Sequence, residues 1–430
     1  MRILIKGGRV IDPVHNRDEI IDILIENGII EEIEKDIDLG GAEIDIIDAG
    51  GLIVCPGLID MHCHLRDPGY EYKEDIESGA KSAVAGGFTS IACMPNTDPA
   101  IDNEAIINYI NDKAKASGYA NVYSIGAVSK GRAGEQLAEI GEMKFAGAVA
   151  VSDDGDPISN AGLMRQALIY ASMFEIPVIC HCEEKTLLDD GVMNEGAVAT
   201  AMGLRGISNS VEEVMVSRDV IIAENEGLPV HIAHVSTAGS VEIIRQAKKR
   251  GVRVTAETCP HYFTLTDETV LGYNTNAKIN PPLRTAKDVA AIKEGLRDGT
   301  IDVIATDHAP HHEDEKNCEF DYAANGIIGF ETALALGITH LVRENVLSTG
   351  ELIEKMSKNP ASILSLNKGT IGLKRPADIT IFSPDEQVEI TEDKIVSKSK
   401  NTPFLGSTLF GKVVYTIVGG KIVLRMGELM

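Results

Sequence analysis

Positive charge is what this 430-residue sequence most lacks: 40 lysines and arginines stand against 65 aspartates and glutamates, a formal charge of −25. Nucleic acid and anionic membranes both reward basic patches, so neither is expected as a main partner. An acidic chain can still bind an anionic metabolite through a few local cations, and Arg66 is such a cation. No apolar run approaches the ~20 residues that a transmembrane helix needs. The opening M-R-I-L-I-K-G-G-R-V turns polar too soon for a signal peptide. A cytoplasmic protein is therefore expected. The seven cysteines form no Cys-x-x-Cys pair and no even framework, which excludes a disulfide scaffold and points to reduced thiols. Tryptophan is absent and aromatics are few, but the composition is otherwise that of an ordinary globular chain. Its length suits one large domain plus a smaller one. No G-x-G-x-x-G follows the first strand, which weakens a dinucleotide-binding fold.

What is present is a change of rhythm. Residues 1–54 read as short strands, with Asn27-Gly28 between alternating apolar runs, the strongest short-range hairpin signal. From Val54 onward, apolar β-runs alternate with helix-length amphipathic segments. Strands are predicted near 58–64, 88–94, 121–128, 147–152, 177–182, 229–235, 252–257 and 301–306. Helices are predicted over 102–117, 134–141, 161–174, 211–227, 238–250 and 286–297, followed by 328–343, 349–357 and a boundary at Asn359-Pro360. Repeated β-then-α with buried strands indicates a parallel sheet, and eight strands in series suit a closed (β/α)8 TIM barrel. From about Gly369 the chain turns β-like again. The expected architecture is α/β: a barrel over 55–368, with a small β-sandwich domain built from both termini, residues 1–54 plus 369–430.

Gly57 to Pro68 reads G-L-I-D-M-H-C-H-L-R-D-P, and an apolar strand there ends in His62 and His64. Residues i and i+2 of a strand share a face, so both imidazoles can reach one point. Catalytic groups of such barrels gather at the C-terminal ends of the strands. Strand four ends in Ser152-Asp153-Asp154-Gly155, strand five in His181, strand six in His234 and strand eight in Thr306-Asp307-His308. Any one of these is an ordinary polar residue at a strand end. Together they form the ligand set of a carboxylate–imidazole metal centre, larger than one tetrahedral zinc requires, so two ions with a bridging carboxylate are expected. Cys180-His181-Cys182 offers an alternative thiolate site, but strand alternation turns both cysteines away from His181.

With these motifs in view, the chain resembles the class I dihydroorotases of the amidohydrolase superfamily. The matching elements are G-L-I-D-M-H-C-H-L-R-D-P-G (57–69), C-M-P-N-T (93–97), S-D-D-G (152–155), H-C-E (181–183) and H-V-S-T (234–237). E-T-C-P-H-Y (257–262), N-P-P-L-R (280–284), A-T-D-H-A-P-H (305–311) and K-G-T-I-G-L-K-R-P-A-D-I-T (368–380) match as well. The resemblance implies that His62, His64 and Asp307 hold one Zn2+, that His181 and His234 hold a second, and that Asp154 bridges, with Asp153 as the alternative bridge. It implies substrate contacts from His64, Arg66, Asn96, Asn280 and His311, and from the backbone around Asn325-Gly326. For Asn96 and Asn280 the competing reading is a turn-forming role beside proline.

The implied reaction interconverts N-carbamoyl-L-aspartate and L-dihydroorotate in pyrimidine synthesis. Zinc-bound hydroxide attacks the ring amide, and Asp307 acts as general base and then acid. Hydantoinase-, dihydropyrimidinase- and allantoinase-like relatives instead use a carboxylated lysine on strand four. No lysine lies between Lys144 and Lys185, and Lys144 precedes the strand, which favours the dihydroorotase branch. A third reading is a non-catalytic partner of aspartate transcarbamoylase, disfavoured because every ligand position is filled. A homodimer is expected, and a complex with that transcarbamoylase is compatible with the resemblance. His308 is expected to support the site from behind, His261 to be structural or supporting, and His15, His231 and His340 to be structural. The polar stretch 311–326 reads as a mobile lid.

Overall fold

Asn27 and Gly28 both adopt positive φ (51° and 85°), the geometry of the tight turn their sequence implies. They join strands Arg17–Glu26 and Ile29–Glu34, and Arg2–Asp12 pairs antiparallel to the first of these. The computed structural model describes residues 2–37 and 44–430; Met1 and residues 38–43 of the expected N-terminal unit lie outside the described residues. Ile53–Pro56 lies parallel to Arg2–Asp12 on one side and antiparallel to Ile379–Glu389 on the other. That strand joins the two termini into one nine-stranded sheet. Ile3, Ile5, Ile23, Ile25 and Ile30 pack with Ile379, Ile381 and Ile417 in a core of their own. The expected union of N- and C-terminal strands is thus present.

The barrel strands are Leu58–Cys63, Phe88–Cys93, Asn121–Gly126, Ala150–Val151, Ile179–Cys180, Val230–Ile232, Val254–Thr258 and Val303–Ile304. All eight expected strands are there, in parallel arcs of four. Bridges between Val151 and Val178 and between Cys63 and His308 close the arcs into a ring. The interior is filled by Met61, Ala92, Ile125, Ala150, Ile179, Ala233 and Val303, so it is a packed core and not a pore.

Most helices begin where a polar cap allows. Asn103 Oδ1 accepts the free N–H groups of Ala105 and Ile106 at the head of Glu104–Ser117, and Asn160 does the same for Ala161–Ser172. Two expectations fail. Residues 134–141 are not a helix, because residues 134–138 run back beside 128–130. There Lys130 N–H donates to Gln136 O (2.9 Å) and Ala138 N–H to Val128 O (2.9 Å), leaving the helix to start at Ile140. The Asn359-Pro360 boundary is no break either. A wide turn over Glu354–Lys358 leads directly into the helix Asn359–Ile363, and Pro360 sits in its first turn, where its missing N–H costs nothing. Among the described residues no helix is long and apolar enough to cross a membrane.

Candidate metal centre and active site

The seam that closes the barrel is also where the polar residues converge. His64 N–H donates to His308 O (2.8 Å), and Asp307 N–H donates to His62 O (3.0 Å). This stitches strand one to strand eight and places three side chains together: His64 Nε2 lies 3.0 Å from Asp307 Oδ1, and His62 Nε2 lies 3.6 Å from it. Asp154 Oδ1 sits 3.5 Å from His62 Nε2, 3.5 Å from His181 Nδ1 and 3.3 Å from His234 Nε2, while Oδ2 faces His64 Nε2 at 3.6 Å. His181 Nδ1 and His234 Nε2 are 2.8 Å apart. Donor atoms of His62, His64 and Asp307 form one metal-sized cluster, and those of His62, Asp154 and His234 a second.

Of the aspartate doublet, only Asp154 faces this centre. Asp153 turns outward and accepts the N–H groups of Val128 (2.8 Å) and Ser129 (3.0 Å), as well as the Ser129 hydroxyl. Cys182 contacts Cys180 O and Asp219 instead of sharing the face of His181. Strand four carries no lysine, and Lys144 lies in the helix Ile140–Ala146.

The donors fit a cation. His62 Nε2 and Asp154 Oδ1 are buried without hydrogen-bond partners although both point into the cluster, an arrangement that is costly unless something else satisfies them. The local field also favours positive charge. Burial alone would lower the His62 pKa, yet Asp154 and Glu257 drive it well above the ordinary value. Burial would likewise raise Asp307, but its bond to His64 and the nearby His62 and His234 hold it below the usual carboxylate range.

Several supporting residues carry no obvious sequence signal. Glu257, fully buried on strand seven, accepts from His62 Nδ1 at 2.5 Å and lies 3.3 Å from His231 Nε2. His231, expected to be purely structural, thus sits one contact behind His62. Asp60 accepts the Thr306 N–H (3.0 Å) and the Thr306 hydroxyl, bracing the approach to Asp307. Burial pushes its carboxyl up to about 7. His308 points away, stacked on Phe330 with centroids 4.0 Å apart, and its Nδ1 accepts the Gly329 N–H (3.2 Å). His15 pairs with Asp12 and His340 with Glu344, both away from the centre.

Beside the centre a cavity of about 200 Å3 is lined by His64, Arg66, Asn96, Asp154, His181, His234, Asn280, Asp307, His311, Asn325 and Gly326. Every residue singled out from the sequence as a substrate contact therefore borders one space. Asn96 Oδ1 accepts from His64 Nδ1 (2.8 Å), and Asn280 Nδ2 donates to Glu183 Oε1 (2.8 Å). Arg66 Nε donates to Pro310 O (3.1 Å), and burial lowers its pKa only to about 10, so it stays charged. Burial and the neighbouring Arg66 force the His311 pKa far down, and its Nε2 lies 2.9 Å from Asn325 O and 3.2 Å from Arg66 Nη2.

The stretch 311–326 is tied down in a way its polar composition conceals. Lys316 is buried and donates to Ala324 O (2.7 Å), Gly326 O (3.1 Å) and Lys278 O (3.2 Å). Lys278 in turn donates to Phe320 O (2.7 Å) and Asp321 O (3.0 Å). Two buried lysines thus take the place of the water that the carbonyls of this expected lid would otherwise bind.

Comparisons with known proteins place the chain in a family. Residues 51–240 match the model described as dihydro-orotase-like, and residues 181–424 match that of the amidohydrolase family. A dihydroorotase of Acetivibrio thermocellus is 61% identical over 423 residues, covering 98% of this chain and 99% of its own. One of Ruminiclostridium cellulolyticum is 58% identical over 430 residues, covering 100% of both. Among solved structures, an L-hydantoinase (dihydropyrimidinase) from Arthrobacter aurescens superposes with a TM-score of 0.88 at 25% identity, covering 100% of this chain and 97% of that one. A dihydropyrimidinase from Brevibacillus agri gives 0.88 at 23% identity, covering 100% and 96%, a likeness of fold.

Proposed function

The chain belongs to the dihydroorotases, cyclic-amide hydrolases of the amidohydrolase family, and from that premise we propose how its residues interconvert L-dihydroorotate and N-carbamoyl-L-aspartate in pyrimidine synthesis. The observation that carries the reading is the single cavity in which the histidine–aspartate clusters meet a buried, charged arginine. His62, His64 and Asp307 would hold one Zn2+, and His181, His234 and Asp154 would hold a second. Bound there, the ions supply Lewis acidity, acidifying a water and polarising an amide carbonyl.

The chain's own groups do the rest. Arg66 presents a guanidinium fork, which suits a planar carboxylate better than an ammonium does, and Asn96 and His311 flank it. That pocket selects a ring bearing a carboxylate and aims its amide carbon at the centre. Asp307, kept ionised by His64, takes the proton from the attacking water as the new C–O bond forms. It then gives that proton to the ring nitrogen as the C–N bond breaks, and the nitrogen becomes the ureido NH2 of the product. In the synthetic direction the same proton moves run in reverse.

The test is hydrolysis of L-dihydroorotate by zinc-replete enzyme beside hydantoin, dihydrouracil and allantoin. Turnover of dihydroorotate alone is expected. Turnover of one of the other three without dihydroorotate would sink the substrate assignment and leave a hydantoinase-like enzyme on the same scaffold.

A further inference from the structure

Between its strands Ile379–Glu389 and Thr408–Val418, the terminal sheet sends an excursion across to the barrel mouth. Two barrel carboxylates grip it. Glu331 accepts the N–H groups of Val396 (2.9 Å) and Ser397 (3.0 Å), and Glu74 accepts the Ser397 hydroxyl. Lys398 forms an ion pair with Asp75. Four residues after Ser397 comes Asn401, 4% exposed, with its side-chain amide fully engaged. Its Nδ2 donates to Ala309 O (3.0 Å) and Gly326 O (3.0 Å), and its Oδ1 accepts the His311 N–H (3.1 Å). Its own carbonyl accepts the Ile328 N–H (3.0 Å).

All three side-chain bonds end on backbone that carries the cavity wall. His311 and Gly326 line the cavity, whereas Asn401 does not. Pro310, between two of the anchored residues, supplies the carbonyl that orients Arg66 Nε. The wall has little slack: a Cβ at Gly326 would lie 2.5 Å from Ala309 O and 2.8 Å from His311 Cδ2. Lys316 also holds Gly326 O, but the His311 N–H has Asn401 as its acceptor. A primary amide suits this position, since it donates twice and accepts from one planar group.

We propose that Asn401 is a positioning residue: reaching in from the terminal sheet, it sets the spacing of the 309–311 and 325–326 segments, and thereby the affinity of the site for its carboxylated substrate. The inference rests on the reading above that these segments contact the substrate.

The experiment uses full-length, zinc-replete enzyme and two variants. Asn401→Asp keeps the shape and the bond from His311 but faces two carbonyls with a carboxylate. Asn401→Ser removes the reach to all three partners. For both, KM for L-dihydroorotate is expected to rise about tenfold or more, the weight of one or two buried hydrogen bonds, with kcat changed less than about threefold. Bound zinc is expected to be unchanged. In the background of His311→Ala, which keeps the backbone N–H that Asn401 binds but removes the imidazole that the bond positions, the effect of Asn401→Ser on KM should shrink. A KM within about twofold of wild type, at any change in melting temperature, would make Asn401 merely structural. Loss of the folded state in both variants would do the same. If wild-type enzyme itself fails to turn over dihydroorotate, the substrate reading falls and takes the proposal with it, an outcome distinct from an unmoved KM.

Discussion

Replacing Glu257 by glutamine isolates what a buried carboxylate behind a proposed metal ligand contributes. Glu257 lines no part of the cavity, yet it accepts from His62 Nδ1 at 2.5 Å and lies 3.3 Å from His231 Nε2. Fixing the proton on Nδ1 leaves His62 Nε2 bare and aimed at Asp154 and Asp307, at 3.5 and 3.6 Å. Glu257→Gln keeps the volume and removes the charge. A hydrogen bond to a charged group contributes about 1.5–3 kcal/mol and a neutral one about 1, so roughly 0.5–2 kcal/mol of the support for His62 is lost. If the amide settles with its NH2 toward Nδ1, the wrong tautomer is favoured and the loss grows. Outer partners of metal ligands generally carry about 10–100-fold in affinity, and the roughly 2–30-fold of the first route overlaps this at a drop of about 10–30-fold in zinc affinity. The assay is titration of the apo-enzyme with Zn2+ against a competing chelator, followed by turnover at saturating metal. Because Glu257 touches no substrate, kcat at saturation is expected to recover to within about threefold of wild type. Zinc affinity within twofold of wild type would refute the reasoning, and so would a kcat that stays low at saturating zinc.

Four further expectations follow from the same geometry. Asp154→Asn should lose bound metal, measured by elemental analysis, whereas Asp153→Asn should keep it and instead lower stability by about 1–3 kcal/mol in urea unfolding, since it only braces Val128 and Ser129. Asp307→Asn should reduce kcat by about a thousandfold while the far-ultraviolet dichroism is unchanged, and near-normal turnover would remove it from the proton-transfer role. His261 is buried, its Nε2 has no partner, and burial lowers its pKa from 6.5 to about 4. The unfolded chain therefore binds this proton first, and stability should fall as pH drops from 6.5 toward 4, by up to about 3 kcal/mol; the slope should flatten in His261→Gln. Stripping the metal with a chelator should lower the melting temperature, with zinc restoring it, because an ion at about 100 times its dissociation constant adds about 2.7 kcal/mol.

The barrel was legible because buried parallel strands are written as apolar runs, and only their C-terminal ends tolerate His62, His64, Asp154, His181, His234 and Asp307. The hairpin at Asn27-Gly28 was legible because only a few residue types accept two successive positive φ angles. What escaped depends on neighbours remote in sequence. Glu257 meets His62 across 195 residues, and Asn401 meets His311 across 90, and neither pairing leaves a periodic trace. The internal bonding of the expected lid escaped for a related reason. Its polar composition is real, but Lys316 and Lys278 are buried and bind its carbonyls, and a lysine turned inward looks no different in the sequence from one in water. Residues 134–141 carry helical spacing, but Gly131 and Gly134, with φ of 59° and 69°, turn the chain back on itself before a helix can start.

His308 lies behind Asp307 as expected, but alternation along a strand is not what separates the two. The eighth strand spans only Val303–Ile304, so Asp307 already lies past its end. Asp307 turns inward because its φ is +47°, and Arg66 and His234 have positive φ too, at 62° and 33°. An L-residue held in this region costs about 1–2 kcal/mol, and such strain persists only where its surroundings over-determine it. At Asp307 they do: its N–H is fixed to His62 O, Thr306 is tied to Asp60, and His64 N–H holds His308 O. The same bonds that close the barrel therefore hold Asp307 in a conformation it would not choose alone, and that conformation brings its carboxylate to His64 Nε2. Closure of the fold and placement of the Asp307 carboxylate, the proposed proton-transfer group, are one event at this seam. A substitution that merely loosens the seam, such as Thr306→Val, should therefore affect kcat before it affects global unfolding.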